Sequence, residues 1–550
     1  PPGRAARRTE ARAAPCAGTE AGGEATLGPA ASTGGLRGGR AETHVPAAGP
    51  TLVLLHRIWD PKLAQASYLI GCIEAKEALV VDPNRDVDQY LALAASLQLR
   101  VAHVTETHIH ADFCSGAREL AARAKARLYL SDEGGDDWRY GFAASDGAVL
   151  LRDGDRFTMG NILIQALHTP GHTPEHLAFL VTDGAAATEP IAAVTGDFVF
   201  VGDVGRPDLL ERAAGVGGTM EGAARTLFRS LQRFKLQPDW LQIWPGHGAG
   251  SACGKGLSAI PHSTVGYERR FNWAFGVTDE AEFVRLVLAG QPDPPKYFGI
   301  MKRLNREGPR LLGGLPRPTP LEPEKVLEVM DVGGFVIDTR TGAEYASGHI
   351  PGTVNIPFNN SFTTWAGWVV PYDRDVHLVS AKADGRQAEG ALRDLAMIGL
   401  DRIAGSFGAE ALGAWSAAGR PLATIPRVAA RELAERMERG VAAVVDVRSR
   451  AEWEAGHIPG VPNIPAGELV DRIGELPRAR PLVLHCQGGT RSTIAASLLD
   501  ARGMTDVIDF PGGYSEWERE GLPTARGAGN LADLVLGPAA NLTQASSRSA

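Results

Sequence analysis

The chain has 550 residues, an ordinary apolar content of 44% and a formal net charge of −8, so two or more globular domains are expected. The acidic balance argues against a nucleic-acid partner, and no apolar run approaches the roughly 18 residues that cross a bilayer. The cysteines are Cys16, Cys72, Cys114, Cys253 and Cys486. Because they are few and scattered, we expect no disulfide framework and a reducing, cytoplasmic location.

Residues 1–50 are rich in Ala, Gly and Arg without a hydrophobic period, and we predict a disordered segment there. Strand and helix signals alternate from residue 51 onwards. The predicted helices are 86–97 and 115–126. The predicted strands are 51–58, 67–72, 78–82, 100–105, 127–130, 162–169, 191–195 and 240–244.

Several predicted strands end at a tight turn that carries a residue able to bind a metal. The most compact example is Thr107-His-Ile-His-Ala-Asp-Phe113. Sheets that alternate with helices bring such strand ends together at one edge, where imidazoles and carboxylates suit zinc, iron or manganese. The candidate ligands are His108, His110, Asp112, His172, Asp197 and His247. Spacing alone does not choose the ligands among these six.

The pattern of these six residues resembles the ligand motif of the metallo-β-lactamase superfamily. The resemblance covers about residues 51–285. The resemblance implies an αβ/βα sandwich with a metal site along one edge of its sheets. In that superfamily the motif His-x-His-x-Asp-His and three downstream ligands hold two metals. The final histidine of the motif is a ligand of the second metal.

This chain has Phe113 where the motif has its final histidine. A phenyl ring offers no lone pair, so we expect a mononuclear site. Two histidines and one carboxylate with open positions form the facial triad of non-haem iron oxygenases. The pattern is similar to the persulfide dioxygenase branch of the superfamily, which uses that arrangement.

The resemblance to this branch implies one Fe(II), with zinc as the alternative. The implied metal ligands are His108, His172 and Asp197. The residues implied to orient ligands or substrate without binding the metal are His110, Asp112 and His247.

The segment Gly202-Asp-Val-Gly-Arg-Pro-Asp208 is similar to a Gly-Arg-x-Asp segment that lies beside the site in the same branch. The resemblance implies that Arg206 pairs with a carboxylate of a thiol substrate such as glutathione, since a guanidinium binds carboxylates through two hydrogen bonds. Tyr267 and Arg269, with Arg270, are further candidates for the same cleft.

Pro and Gly cluster at 286–320, where we predict a linker, and an internal repeat with a period near 108 residues follows it. In the first copy, Glu344 is followed by the segment Gly-His349-Ile-Pro-Gly. In the second copy, Glu452 is followed by the same segment, Gly-His457-Ile-Pro-Gly. The repeat predicts two small α/β domains. Because the Gly-His-Ile-Pro-Gly segment occurs in both copies, we interpret it as a structural turn.

The second copy contains an apolar strand, Cys486, a short Gly-containing loop and Arg491 before a helix. Backbone N–H groups of such a loop and the helix N-terminus favour an anion, so Cys486 is a candidate nucleophile. The Cys-x4-Arg spacing also fits a phosphatase loop. The flanking Gly-His-Ile-Pro-Gly and Gly512-Gly-Tyr-x-x-Trp517 segments resemble the rhodanese family, in which the cysteine carries a transferable sulfur.

The first copy has Ala381 where the second has Cys486, and Arg386 where the second has Arg491. Alanine cannot carry sulfur, so we predict that this copy is catalytically inactive. The fold class is therefore α/β, a metallo-β-lactamase sandwich followed by two rhodanese-like domains. The predicted domains are a persulfide dioxygenase domain at 51–285, a linker at 286–320, an inactive rhodanese-like domain at 321–423, an active rhodanese domain at 424–526 and a disordered tail at 527–550.

Together the resemblances imply a persulfide dioxygenase that uses O₂ to oxidise a low-molecular-weight thiol persulfide, of glutathione, coenzyme A or a similar thiol, to sulfite. Catalytic Cys486 and Arg491 would add sulfur transfer, with thiosulfate as a further product, in sulfide detoxification. We expect a homo-oligomer with no nucleic-acid or membrane partner. The alternatives are a zinc-dependent thioester hydrolase of the glyoxalase II type and a non-catalytic sulfur-binding scaffold or sensor.

Overall fold

The computed structural model describes residues 53–209, 211, 218–291, 294–381 and 385–527. The disorder predicted for 1–50, and for all but the first residue of 527–550, lies outside these residues. The strands are β1 (Val53–Asp60), β2 (Gln65–Cys72), β3 (Glu77–Val81), β4 (Arg100–Thr105), β5 (Arg127–Ser131), β6 (Val149–Leu151), β7 (Arg156–Met159), β8 (Ile162–His168), β9 (Leu177–Asp183), β10 (Ala192–Gly196), β11 (Gln242–Pro245), β12 (Ser263–Thr264), β13 (Phe335–Asp338), β14 (Val354–Asn355), β15 (Val376–Val379), β16 (Ile403–Phe407), β17 (Ala443–Asp446), β18 (Leu482–His485) and β19 (Val507–Phe510).

The helices connect and cover these strands. They are α1 (Asp88–Ser96), α2 (Ala117–Ala124), α3 (Met220–Phe234), α4 (Val265–Phe271), α5 (Trp273–Gly276), α6 (Glu280–Leu288), α7 (Tyr297–Glu307), α8 (Lys325–Asp331), α9 (Gly342–Ser347), α10 (Phe362–Val369), α11 (Arg386–Met397), α12 (Glu410–Ala417), α13 (Ala430–Glu438), α14 (Arg450–Ala455), α15 (Thr490–Asp500) and α16 (Gly513–Arg519).

Two six-stranded sheets, in the orders β1-β2-β3-β4-β5-β6 and β12-β11-β10-β9-β8-β7, form the first half of the chain. Their inner faces share one apolar core, to which Tyr68 and Phe179 belong. Tyr90 of α1 belongs to a core on the outer side of the first sheet, and Leu227 of α3 to a core on the second. Helices on both outer faces bury the strands on both sides, and the predicted αβ/βα sandwich is confirmed.

Two small parallel sheets follow, in the orders β14-β13-β15-β16 and β17-β18-β19. In each copy the helix after the first strand begins with a capping box. Thr341 and Glu344 form it in α9, and Ser449 and Glu452 form it in α14. The reciprocal hydrogen bonds satisfy backbone N–H groups that the first helical turn leaves open.

The histidines of both Gly-His-Ile-Pro-Gly segments are buried, and each contacts the aromatic residue four positions before it. The Nδ1–H of His349 donates to the Tyr345 carbonyl. The imidazole ring stacks on the Tyr345 ring, with 3.9 Å between the ring centroids. His457 makes the same contacts with Trp453. Both segments form a turn at their Pro-Gly residues, and the purely structural role of the segment stays a prediction.

Helix α7 lies within the segment that was predicted as a linker, and it does more than connect domains. Its residues Tyr297, Phe298 and Met301 belong to an apolar core that also contains Cys114 of the sandwich and Ile494 of α15. Because Pro and Gly cluster at both ends of the segment, its composition predicts a linker rather than this amphipathic helix. Among the described residues, no helix has the length and apolarity required to cross a membrane.

Candidate metal centre and sulfur-transfer site

The loop after β4 is held by two buried carboxylates. Asp82 accepts hydrogen bonds from the Thr107 backbone N–H at 2.6 Å and from its hydroxyl at 2.9 Å. Glu175 accepts from the Ile109 N–H at 2.8 Å. Asp82 has a φ of 52°, a left-handed conformation that persists where the surrounding structure enforces it. These contacts hold the backbone of the loop, and therefore the directions of its side chains, in place.

His108, His172 and Asp197 form a first donor set, with one ligand atom of each lying within 4.8 Å of the others. The Nδ1–H of His172 donates to the Arg206 carbonyl at 3.0 Å, so its Nε2 presents a lone pair 3.6 Å from Asp197 Oδ2. Asp197 is 1% exposed, and neither of its carboxylate oxygens accepts a hydrogen bond. A buried carboxylate without partners is costly unless a cation joins it, so this donor set fits a metal ion.

The histidines of this set favour their neutral, metal-binding forms. Burial, and then the neighbouring His110 and His172, lower the pKa of His108 well below its usual value. Burial also lowers the pKa of His172, although the Asp197 carboxylate opposes the shift.

His110 lies beside the first donor set, but its side chain faces Asp82. Its Nε2 is 3.2 Å from Asp82 Oδ1, and its ring centroid is 4.3 Å from that of the buried Phe113. Burial alone would lower the pKa of His110, but the Asp82 carboxylate raises it to about 9. The structure thus places His110 as a neighbour of the first donor set.

Asp112 and His247, which match the ligands of the second metal in the superfamily motif, lie in a second donor set. Its third member is Cys253, and one ligand atom of each lies within 4.8 Å of the others. Burial raises the pKa of the Cys253 thiol to about 12. The sequence signal was a cysteine six residues after His247, in the loop that follows β11.

The residues predicted to bind substrate have other partners in this structure. Arg206 is fully buried, and its guanidinium donates to both oxygens of Asp208, at 2.8 and 2.7 Å, and to the Ala252 carbonyl. Arg269 bonds to Asp239 and to two backbone carbonyls beyond α3. Tyr267 is 48% exposed. Their roles in substrate binding remain predictions.

Helix α7 clamps the metal-binding loop through one buried side chain. The amide NH₂ of Asn305 donates to the carbonyls of His110 at 2.7 Å and Phe113 at 2.8 Å. Its amide oxygen accepts from the Ser115 N–H at 2.9 Å. One asparagine therefore satisfies three backbone groups of the loop.

Two further hydrogen bonds reach the loop from later segments. The Tyr297 hydroxyl donates to the Asp112 carbonyl at 3.0 Å. The Cys114 N–H donates to the carbonyl of Met397, the last residue of α11 in the first repeat copy. The geometry of the metal-binding loop thus depends on the chain beyond the sandwich.

We expect Asn305→Leu to lower the free energy of unfolding by at least about 2 kcal/mol, because each orphaned buried polar group costs about 1–3 kcal/mol. Denaturant titration of the full chain measures this loss. Asn161→Leu is the matched control, since Asn161 is exposed and surface substitutions change stability by about 0.5 kcal/mol or less. Equal effects of the two substitutions would contradict the clamp.

A cleft of about 1040 Å³ lies beside the turn that precedes His172. Pro170 and Gly171, directly before His172, line one side of it, and α7 lines another. Lys302 Nζ lies 3.7 Å from the centroid of the Trp138 ring. The cations of the cleft are Lys296, Lys302, Arg303 and Arg306. The cleft therefore suits an anionic small molecule.

Cys486 follows β18 and starts the loop that leads into α15. Its Sγ accepts a hydrogen bond from the Gly489 N–H at 3.1 Å. Gly489 has a φ of 96°, and a Cβ there would lie 2.4 Å from the Pro511 carbonyl oxygen. Only glycine fits this position, so the loop holds a backbone donor against the sulfur.

Arg491 is paired with the carboxylate that caps α14. Its two terminal nitrogens donate to Glu452 at 2.6 and 2.7 Å. Burial would raise the pKa of Glu452, but the hydrogen bonds and charge of Arg491 lower it to about 2. Arg491 is thus held near the Cys486 loop as a permanent cation, and its catalytic role remains a prediction.

In the first repeat copy an alanine stands at the position of the cysteine. Ala381 lies after β15, as Cys486 lies after β18, and its N–H donates to Gln387 Oε1. Residues 382–384 lie outside the described residues. The prediction that this copy is inactive rests on its alanine.

Comparisons with known proteins agree with this architecture. A model of the metallo-beta-lactamase superfamily matches residues 60–247, and a model of the rhodanese-like domain matches residues 322–406 and 429–520. A crystal structure from Staphylococcus aureus described as a metallo-beta-lactamase has 42% identity and a TM-score of 0.60, and the match covers 65% of this chain and 99% of that one.

Two curated relatives match the first half of the chain. The protein named "Persulfide dioxygenase ETHE1, mitochondrial" from Bos taurus is 28% identical over 257 residues, which are 46% of this chain and 86% of that protein. A protein from Burkholderia pseudomallei named as a "Probable metallo-hydrolase" is 32% identical over 214 residues, 34% of this chain and 70% of that protein. The chain belongs to the metallo-β-lactamase superfamily, and two rhodanese-like domains follow its metallo-β-lactamase domain.

Proposed function

We propose that this chain is a persulfide dioxygenase that oxidises a low-molecular-weight thiol persulfide with O₂ to sulfite, and that it also transfers sulfur through Cys486. The observation that carries the proposal is the buried, unpartnered Asp197 carboxylate beside His108 and His172, on one chain with an intact Cys486 loop. Relatives named as persulfide dioxygenases, together with the rhodanese-like domains, support an enzyme of sulfur metabolism.

His108, His172 and Asp197 would hold one Fe(II), with zinc as the alternative, and iron supplies activation of O₂ beside the terminal sulfur. Thr107 and Arg206 orient the two imidazoles through hydrogen bonds at 2.9 and 3.0 Å, which fixes the nitrogen that each presents. The overall reaction balances as RSSH + O₂ + H₂O giving RSH, SO₃²⁻ and two protons.

Sulfur transfer needs only the Cys486 loop. The Cys486 thiolate would attack the outer sulfur of a persulfide, so that a new S–S bond forms and the thiolate RS⁻ leaves. Sulfite would then take the outer sulfur from Cys486 as thiosulfate and regenerate the thiolate. The Gly489 N–H, 3.1 Å from the sulfur, stabilises negative charge there in both steps.

The basic cleft would bind the anionic carrier of the persulfide, such as glutathione. It lies beside the loop that carries His172, and Lys302 and Arg303 of α7 line it. An anchored carboxylate or phosphate would hold the carrier while its sulfur reaches the first donor set.

We expect the double substitution Lys302→Gln, Arg303→Gln to raise KM for glutathione persulfide about threefold or more, since an exposed ion pair contributes about 0.2–1 kcal/mol. The kcat value should not change, and a neutral persulfide such as that of mercaptoethanol should keep its KM. Steady-state O₂ uptake measures both. Arg229→Gln is the matched control, because Arg229 is exposed on α3 and does not line the cleft. Equal effects on charged and neutral substrates would contradict the role of the cleft.

One experiment separates the three candidate functions. Metal content is measured in protein purified without oxygen, and O₂ uptake is followed after glutathione persulfide is added. Iron with O₂ uptake is the expected result. Zinc with thioester cleavage and no O₂ uptake would establish the hydrolase instead, and protein with neither metal nor turnover would favour a scaffold.

A further inference from the structure

We infer that the first repeat copy, which lacks the cysteine, positions the metal centre, and that Arg393 of α11 is the positioning residue through which it acts. The guanidinium of Arg393 joins two loops of the sandwich. Its Nη2 donates to Asp60 Oδ2 at 2.9 Å, and its Nε donates to Asp86 Oδ2 at 2.8 Å. Because the N–H groups of a guanidinium have fixed directions in one plane, Arg393 holds the two loops at a fixed separation.

The first of these loops, the turn after β1, supports His247. Asp60 is buried, and its Oδ1 accepts from two backbone N–H groups of the turn, at 3.0 and 3.1 Å. The turn ends at Ala64, whose φ is 49° and whose carbonyl lies 2.9 Å from His247 Nδ1. His247 Nε2 lies 3.4 Å from Asp197 Oδ1. The carboxylate that Arg393 holds therefore fixes the turn that contacts His247.

The second loop, after β3, supports the metal-binding loop. It comprises residues 82–86 and ends at Asp86. Its first residue, Asp82, accepts from the backbone N–H and the hydroxyl of Thr107. The Thr107 hydroxyl lies 2.9 Å from His108 Nδ1. A displacement of either loop would therefore move a side chain that contacts a residue of the first donor set.

Two neighbours of Arg393 on α11 contact the same side of the sandwich. Asp394 forms an ion pair with Lys62 of the turn after β1, and the Asp394 side chain is buried. The carbonyl of Met397 accepts from the Cys114 N–H at 2.6 Å. One helix of the first copy thus contacts the turn after β1, the loop after β3 and the loop after β4.

The second repeat copy indicates that these charges are not required by the rhodanese-like fold. Counted from the cysteine position, Leu498 of the second copy corresponds to Arg393. The next residue, Leu499, corresponds to Asp394. Both leucines are buried in apolar cores. The charged pair therefore occurs in the copy whose helix meets acidic loops of the sandwich, where each charge has a partner.

Co²⁺ binding to the whole chain, prepared without metal and without oxygen, tests the inference. We expect Arg393→Gln to weaken Co²⁺ binding by about 10-fold, the lower end of the loss that follows removal of a group orienting a ligand, because Arg393 acts through two loops. The visible absorption of the bound ion reports its coordination geometry and should shift. Arg393→Lys should give an intermediate affinity, since an ammonium keeps the charge without the planar fork.

Arg402→Gln is the matched control. Arg402 also pairs with an aspartate, Asp375, but both residues belong to the first copy. This variant should keep the affinity and the absorption of the parent. Thiosulfate:cyanide sulfur transfer through Cys486 should continue in every variant, which shows that the chain is folded.

The inference rests on the proposed function only for the identity of the metal ligands. Co²⁺ affinity requires no turnover, so it tests Arg393 even in a parent chain that consumes no O₂. An unchanged affinity and absorption in Arg393→Gln would overturn the inference. Loss of sulfur transfer together with metal binding in both Arg393 variants would also overturn it, because Arg393 would then only hold the fold together. A parent chain that binds no Co²⁺ would refute the metal centre, and the proposed function with it.

Discussion

Replacing Asp197 with alanine is expected to abolish metal binding and O₂ uptake with glutathione persulfide, while thiosulfate:cyanide sulfur transfer continues. Asp197 provides the only carboxylate of the first donor set. Losing a residue that merely orients a ligand costs about 10–100-fold in metal affinity or activity, so losing the carboxylate itself should cost more than about 100-fold.

The substitution should leave the folded chain intact, and this separates lost chemistry from lost structure. Because neither Asp197 oxygen accepts a hydrogen bond, alanine removes a buried charge without breaking a hydrogen bond, and the imidazoles of His172 and His247, 3.6 and 3.4 Å from its oxygens, can stay neutral. The metal-free variant should therefore be no less stable than the metal-free parent in denaturant titration. Asp183→Ala, at the end of the adjacent strand β9, is the control and should keep both metal and activity. Retained O₂ uptake in Asp197→Ala would exclude the proposed iron site.

The sequence predicts the scaffold of this site well because the relevant signals are local. Strand β4 has the predicted bounds of 100–105, since a short apolar run ends abruptly at polar residues. Helix α3 lies outside the predicted helices, although its buried residues Ala224, Leu227, Phe228 and Leu231 have helical spacing.

The site itself is only partly predictable, because it depends on long-range packing. The loop after β11 brings the sulfur of Cys253 within 4.8 Å of ligand atoms of Asp112 and His247, and no spacing rule anticipates this. The structure pairs Arg206 with Asp208, two residues away, whereas the motif alone suggests a substrate ligand. Asn305 lies in a segment rich in Pro and Gly, and its three bonds to the metal-binding loop arise only in the folded chain.

The same packing bears on whether the two chemistries are separable. Helix α15 begins directly after the Cys486 loop, and its Ile494 and Leu498 lie in one apolar core with Tyr297 of α7 and Cys114 of the metal-binding loop. The two sites therefore share structural support. Shared support predicts that stability is coupled between them, but it does not require that either reaction uses residues of the other site.

Replacing Cys486 with serine is expected to have the opposite effect to Asp197→Ala. Sulfur transfer should fall by at least about 1000-fold, because removal of a nucleophile eliminates the covalent step. The hydroxyl is nearly isosteric and can accept the Gly489 N–H in place of the sulfur, so the loop should keep its conformation. O₂ uptake with small persulfides should be unchanged, since His108, His172 and Asp197 keep their contacts.

Measuring both activities on the same Cys486→Ser preparation tests whether the two sites act separately. Cys72→Ser is the matched control, because Cys72 is also buried but belongs to the sandwich core, and both of its activities should remain. If O₂ uptake disappears in Cys486→Ser alone, persulfide must reach the first donor set through Cys486, and the two sites form one obligatory path. If uptake remains, Cys486 acts on the sulfite that the dioxygenase releases, and the chain carries out two reactions that are linked by their product.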